Sequence, residues 1–154
     1  MRAIALLICL ASGASAQEVP VDRETVEACF ETGRAEAGGL PSCVGDAAAR
    51  CQERPGGGTT LGISNCLMAE TGVWAALMQE AYDQKLDTLR ETDESLPEAL
   101  RQSQEAWATY RDAACGLQYS IWLEGSIRVI IAGNCHLRKT AGRALELSGL
   151  GELD

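Results

Sequence analysis

The sequence predicts an all-α fold: a small disulfide-stapled bundle of antiparallel long helices, preceded by a short cysteine-rich helical lobe. Apolar residues recur at helical spacing along most of the chain. Clusters of glycine and proline separate these periodic stretches. Six cysteines follow an N-terminal export signal, which indicates disulfides.

The chain begins with a segment typical of a cleaved secretory signal. Arg2 precedes the apolar run "AIALLICLA", and "SGASA" then ends in the small residues Ala14, Ser15 and Ala16. We expect cleavage after residue 16. No later stretch is expected to approach the roughly 20 apolar residues of a membrane helix. The sequence therefore predicts a soluble periplasmic or secreted protein that has no membrane attachment after cleavage.

The charge of the mature chain restricts its partners. Loss of Arg2 leaves 12 basic and 22 acidic residues, a formal charge of −10. Such a surface repels nucleic acid and anionic lipid, and it attracts basic partners. Acidity also keeps an exported protein soluble.

The six cysteines of the mature chain are expected to form three disulfides. Fifteen pairings are possible, and the sequence spacing favours local ones. A zinc site is disfavoured because the chain has no C-x-x-C pair and one histidine, so we expect no metal and no cofactor. The favoured pairs are Cys29 with Cys43, Cys51 with Cys66, and Cys115 with Cys135.

Residues 17–58 are predicted to form the cysteine-rich lobe. "DRETVEACFETGRAEA" indicates a helix capped by Asp22, which ends at the turn "GGLP". A short helix, "SCVGDAAARCQE", is closed by "RPGGG", since proline and glycine do not continue a helix cheaply. "PGGGTT" is interpreted as a linker.

Residues 59–154 are predicted to form the helical domain. A first long helix from Ser64 ends near "RETDES", residues 90–95. Ser95 and Glu98 have capping-box spacing, with Pro97 in the first turn of a second long helix. The expected apolar face of the first helix is Leu67, Trp74, Leu77, Met78, Ala81, Leu86 and Leu89, and that of the second is Leu96, Leu100, Trp107, Tyr110, Ala114 and Leu117.

The last segment contains "IRVII", which could form a strand because it is β-branched. Helical spacing further on favours a third long helix instead. The residues that carry this spacing are Leu137, Ala141, Ala144, Leu145 and Leu147.

The stretch "SQEAWATYRDAAC" places Trp107, Arg111 and Cys115 on nearly one helix face. We expect Trp107 to pack inward, Arg111 to lie over it, and Cys115 to tie this face to the next helix. Asp112 should point about 100° away from Arg111. His136 is expected to face solvent or to form a hydrogen bond beside the disulfide. No nucleophile has a base beside it, so no enzyme is predicted.

Three stretches carry a family resemblance: "NCLMAETGVWAALMQEAYDQKL", "LRQSQEAWATYRDAAC" and "NCHLRKTAGRALEL". Over residues 62–148 they resemble the N-terminal domain of the LprI-like lysozyme-inhibitor family. That family commonly has Asp and Asn where this chain has Ala75 and Glu80. The most specific run comprises Gln104, Trp107, Tyr110, Arg111 and Asp112 and ends at Cys115.

The resemblance implies an exported helical domain that inhibits lysozyme. The charge of −10 favours a basic lysozyme as the partner, and we expect inhibition by occlusion of its cleft. The alternative is a structural or envelope-binding module of the periplasm without lysozyme activity. An inhibitor must obstruct the cleft that holds two catalytic carboxylates. The candidate loops are residues 90–95, with Asp93 and Glu94, and residues 122–126, with Trp122 and Glu124. The sequence indicates no oligomeric state.

Overall fold

The computed structural model describes residues 21–35 and 39–151. These residues form helices and contain no strand, which confirms the all-α prediction. The predicted signal, residues 1–16, lies outside the described residues. The helices are α1 (Arg23–Ala35), α2 (Asp46–Gln52), α3 (Thr60–Thr92), α4 (Leu96–Ile121) and α5 (Arg128–Ser148).

The central helix is α3, which packs against each of the other helices. Its predicted apolar face is confirmed: the first five residues of that face are buried, and Leu86 and Leu89 pack partly buried against the core. The helix begins four residues before the predicted start. The Thr59 hydroxyl accepts a hydrogen bond from the Gly62 amide at 3.0 Å and so caps the first turn. The last two residues of the predicted linker are therefore the helix cap, Thr59, and the first residue of α3, Thr60.

α5 is a helix throughout, so the helical interpretation of "IRVII" is confirmed. Leu137, Ala141, Ala144 and Leu147 are fully buried, and α5 makes its largest interface with α3. A Cβ at Gly133 would lie 3.5 Å from the Leu67 side chain, so the two backbones approach closely here.

α1 and α2 pack onto the same core as α3 and α5. Val26, Ala48 and Cys51 belong to one cluster of buried residues with α3 and α5. The Phe30 ring meets the Trp74 ring edge-on, with centroids 6.1 Å apart. The predicted boundary at residues 58 and 59 is thus spanned by continuous packing, and the division into lobe and domain stays a prediction.

α4 differs from the prediction at its start and along its face. Ser95 does not form the capping box, because its hydroxyl and amide both donate to the Asp93 carboxylate, at 2.6 and 2.8 Å. Leu100 is buried, but Tyr110 and Leu117 are 61% and 62% exposed. The expected inward orientation of Tyr110 and Leu117 is wrong because the second half of α4 is a peripheral helix, whose described contacts are chiefly with α5.

α3 is long and apolar enough to cross a membrane, with a mean hydropathy of 1.2 over an 18-residue stretch. The expectation that no later stretch approaches such a segment is wrong by this measure. Of that stretch, 39% is buried inside the protein. A central core helix has this composition for the same reason as a membrane helix, since both bury apolar side chains.

Candidate functional site: the α4–α5 hairpin

The structure contains the three favoured disulfides: Cys29–Cys43, Cys51–Cys66 and Cys115–Cys135. The third joins α4 to α5, with a Cα–Cα distance of 5.5 Å. Cys115 is fully buried. The two cysteines therefore lie level in an antiparallel hairpin, as the sequence spacing predicted.

Trp107 is half-buried and contacts two guanidinium groups. Arg111 lies 5.0 Å from the ring centroid, and Arg143 of α5 lies 5.8 Å from it. The stacking of Arg111 on Trp107 is therefore as expected, whereas Trp107 is packed less deeply than expected. The fully buried tryptophan is Trp74.

Two further cation–π pairs follow the same pattern, with the ring on α4 and the cation on α5. Lys139 lies 4.3 Å from the Tyr110 centroid, and Arg128 lies 4.8 Å from the Tyr119 centroid. Together with the disulfide these contacts connect the helices along their length. We call this set the α4–α5 seam; its members are Trp107, Tyr110, Arg111, Cys115, Tyr119, Arg128, Cys135, Lys139 and Arg143.

Arg143 is a seam residue to which the sequence assigned no role. It is 6% exposed, and each of its three nitrogens donates a hydrogen bond. The acceptors are Gln104 Oε1 at 2.9 Å, Glu146 Oε1 at 2.8 Å and Ser103 Oγ at 3.0 Å. A signal was present in the sequence, since Arg143 lies four residues before the buried Leu147 on an otherwise apolar face.

Arg111 and Asp112 form an ion pair, with Nε and Oδ1 2.8 Å apart. Adjacent residues of a helix lie about 100° apart, and the long Arg111 side chain spans this angle to reach the Asp112 carboxylate. His136 is half-buried, and burial together with the nearby Arg111 lowers its pKa. Among the residues that the structure describes, no group of three or more His, Cys, Asp or Glu could hold a metal ion.

The end of the hairpin is exposed to solvent. All residues from 116 to 127 are exposed, and the first six of them complete more than one turn of α4. Their side chains point in all directions around the helix, and α5 contacts them through Arg128, which stacks on Tyr119. We call residues 116–127 the hairpin tip.

The hairpin tip is apolar. Leu123 is 75% exposed, the largest value among the exposed large hydrophobic residues of the described chain. Glu124 is the tip's one formally charged side chain. The other large exposed apolar side chains of the tip are Leu117, Tyr119, Ile121, Trp122 and Ile127. Exposed apolar groups that adjoin one another commonly mark a binding surface.

The backbone of the tip is fixed by hydrogen bonds. The Leu123 amide donates to Ser120 O at 3.1 Å, and the Gly125 amide donates to Trp122 O at 3.0 Å. Arg128 donates to the Leu123 carbonyl while it stacks on Tyr119. Leu123 has a φ of +43°, a left-handed conformation that is rare for leucine. The tip thus presents its most exposed side chain from a strained and well-braced turn.

The other candidate loop lies at the opposite end of α4, which at 26 residues is about 39 Å long. Asp93 and Glu94 are exposed there. Hydrogen bonds from the Ser95 side chain and backbone lower the pKa of Asp93. The Asp93 carboxylate is therefore already engaged in hydrogen bonds within its own turn. A separation of this size prevents the two loops from entering one cleft together.

Glu70 is a buried carboxylate that the sequence interpretation missed. It is 1% exposed and accepts hydrogen bonds from the Gly45 and Ala48 amides, at 2.8 and 2.7 Å. The indole Nε1 of Trp74 donates a third, at 3.1 Å. Glu70 therefore joins the start of α2 to the middle of α3. Its signal was its place four residues before Trp74 on the apolar face.

An open groove of about 520 Å³ lies between α1, α3 and α5. Its rim carries Glu31, Arg34, Glu80 and Lys85, and Arg34 pairs with Glu31 at 3.2 Å. Lys85 donates to the Leu150 carbonyl at 2.7 Å. The groove is therefore lined by charges that already have partners.

A family model described as "Lysozyme inhibitor LprI" matches residues 51–147 of the chain. The match begins inside α2 and includes α3, α4, the hairpin tip and nearly all of α5. α1 and the Cys29–Cys43 disulfide lie outside it. No curated protein and no solved structure matches the chain.

Proposed function

Because the chain belongs to the LprI lysozyme inhibitor family, we propose that it binds a lysozyme and blocks the substrate cleft with its hairpin tip. In this proposal the mature protein acts in the periplasm or outside the cell. It obstructs the cleft and performs no chemistry of its own. The observation that carries the proposal is the exposure of every residue from 116 to 127, large apolar side chains included.

The rigidity of the tip supports this role. A loop that must order itself on binding loses conformational entropy, and that cost weakens affinity. Here the Cys115–Cys135 disulfide, the Arg128 contacts and the turn at Leu123 fix the tip before any partner arrives. The apolar side chains of the tip provide the contact area.

The charge of the molecule outside the hairpin tip, which we call the body, supports the choice of partner. The full chain has a formal charge of −9, whereas the tip contributes only Glu124 to it. An acidic body attracts a basic lysozyme and speeds their encounter, but this attraction gives little specificity. The body would therefore set the association rate, and the tip would set the dissociation rate.

The test is a turbidity assay of cell-wall lysis by a basic lysozyme with the purified mature protein. We expect inhibition at low salt and also at about 0.15 M salt, where charges are screened beyond roughly 8 Å. Trp122→Ala and Leu123→Gly should each weaken inhibition about 30-fold, as loss of a central apolar anchor does. Glycine suits the left-handed turn at residue 123, so this variant removes the side chain without new strain.

Asp93→Ala with Glu94→Ala is the matched control at the far end of α4, and it should inhibit as the unaltered protein does. Loss of inhibition in this control, together with full activity of the tip variants, would move the site to the α3–α4 turn. Absence of inhibition at low salt would exclude this lysozyme as the target. Inhibition that disappears by about 0.15 M salt would indicate charge pairing alone.

A further inference from the structure

We infer that the hairpin tip occupies the sugar-binding part of the lysozyme cleft and makes no ion pair with its catalytic carboxylates. This inference rests on the proposed function and specifies its chemistry. It follows from the distribution of charge around the hairpin. The binding chemistry would be that of an apolar substrate mimic.

The tip has no cation to offer. Residues 116–127 contain no lysine, arginine or histidine. The first cation beyond them is Arg128, whose guanidinium stacks on Tyr119 and donates to the Leu123 carbonyl. An Arg128 that left these contacts would give up one of the braces of the turn that presents Leu123.

The other cations of the seam are also engaged. Lys139 donates to the Tyr110 hydroxyl at 3.1 Å, and Arg111 is paired with Asp112. Arg143 is buried, with all three of its nitrogens hydrogen-bonded. The seam therefore uses these positive charges to hold the hairpin together, and it does not present them at the tip.

The one charge of the tip disfavours the catalytic centre. Glu124 is exposed, and its carboxylate would repel two further carboxylates at close range. Trp122, Leu123 and Ile121 instead offer apolar surface, which can pack against the hydrophobic and aromatic side chains that line ligand-binding clefts. The tip thus fits the apolar part of the cleft, with Glu124 turned toward solvent.

The test measures binding by calorimetry at about 0.15 M salt with three probes. The first is the active lysozyme, and the second is the same lysozyme with both catalytic carboxylates replaced by their amides. The third is the active enzyme saturated with a soluble N-acetylglucosamine oligomer. We expect the affinities for the active and the amide form of lysozyme to agree within about threefold, and we expect the oligomer to compete fully with the inhibitor. The Trp122→Ala variant should bind each of these two lysozyme forms about 30-fold more weakly.

Glu124→Gln provides a matched control within the tip. It should bind the active lysozyme as well as or better than the unaltered protein, because it removes a carboxylate that can only repel those of the cleft. A tenfold weaker affinity for the amide form of lysozyme would overturn the inference and leave the proposed function intact, whereas simultaneous binding of the oligomer and the inhibitor would refute the proposed occlusion of the cleft. Absence of binding to any form would instead refute the proposed function.

Discussion

Glu70 is the one buried carboxylate among the residues that the structure describes. Burial of a carboxylate is costly unless hydrogen bonds replace the lost water. Three N–H groups do so here, two from the start of α2 and one from Trp74. A single side chain therefore orients a short helix and the central tryptophan of the core.

We predict that Glu70→Gln lowers the free energy of unfolding by about 2–3 kcal/mol. The amide keeps the shape of the side chain, but its NH2 group would face an N–H donor and leave that donor unpaired. Urea unfolding followed by circular dichroism measures the change. Glu80→Gln on the exposed side of the same helix is the control, with an expected change below about 0.5 kcal/mol. Equal effects of the two substitutions would show that the buried hydrogen bonds add nothing.

The two tryptophans of the core helices should differ in their contribution to stability. Trp74→Ala empties a fully buried site against Phe30 and should cost about 3–5 kcal/mol. Trp107 is half-buried, so Trp107→Ala should cost clearly less, about 1–2 kcal/mol, chiefly through lost contacts with Arg111 and Arg143. Thermal unfolding of the two variants side by side gives the order. The reverse order would contradict the assignment of Trp74 as the central core residue.

At the scale of the helices, periodicity in the sequence predicted α3 and α5 well because both bury a long apolar stripe. It predicted α4 less well. The spacing of Trp107, Tyr110 and Leu117 is helical, but spacing does not show whether a neighbour covers each turn. Only the packed structure shows that the last turns of α4 leave Leu117 and Tyr119 exposed. The capping box failed for a local reason, since Asp93 accepts both donors of Ser95.

The Cys115–Cys135 disulfide should affect the tip more than it affects the bundle. Replacement of both cysteines by serine should cost about 3 kcal/mol in the chain-entropy account, and helix content should persist. Inhibition of lysozyme should weaken because the braced tip loosens, which amide hydrogen exchange of residues 116–127 measures. The Cys29→Ser and Cys43→Ser pair is the control, with a similar loss of stability and unchanged inhibition. If both double variants inhibit equally, the Cys115–Cys135 disulfide does not contribute to inhibition through the tip.

At the scale of the whole molecule, the basic and the acidic side chains are distributed differently over the helices. α5 carries four arginine or lysine residues and one acidic residue, whereas α3 carries five acidic and two basic residues. Most cations of α5 are held on rings or carbonyls of the hairpin, so the acidic surplus faces solvent. The sequence predicted the net charge and the disulfides. It did not predict the division between a charged body and an apolar tip, because that division depends on which side chains the folded seam uses.

The buried carboxylate of α3 has a further consequence before folding. Between Thr60 and Gln79 the chain contains one charged residue, Glu70, and this helix is apolar enough to resemble a membrane span. An exported chain crosses the membrane unfolded, and an uninterrupted apolar segment of that length would tend to remain in the bilayer. A charge near the centre of such a segment costs about 2.5–3.5 kcal/mol on an insertion scale. In the export that we propose, Glu70 would therefore favour complete translocation of the chain, before the same carboxylate is enclosed by α2 and Trp74.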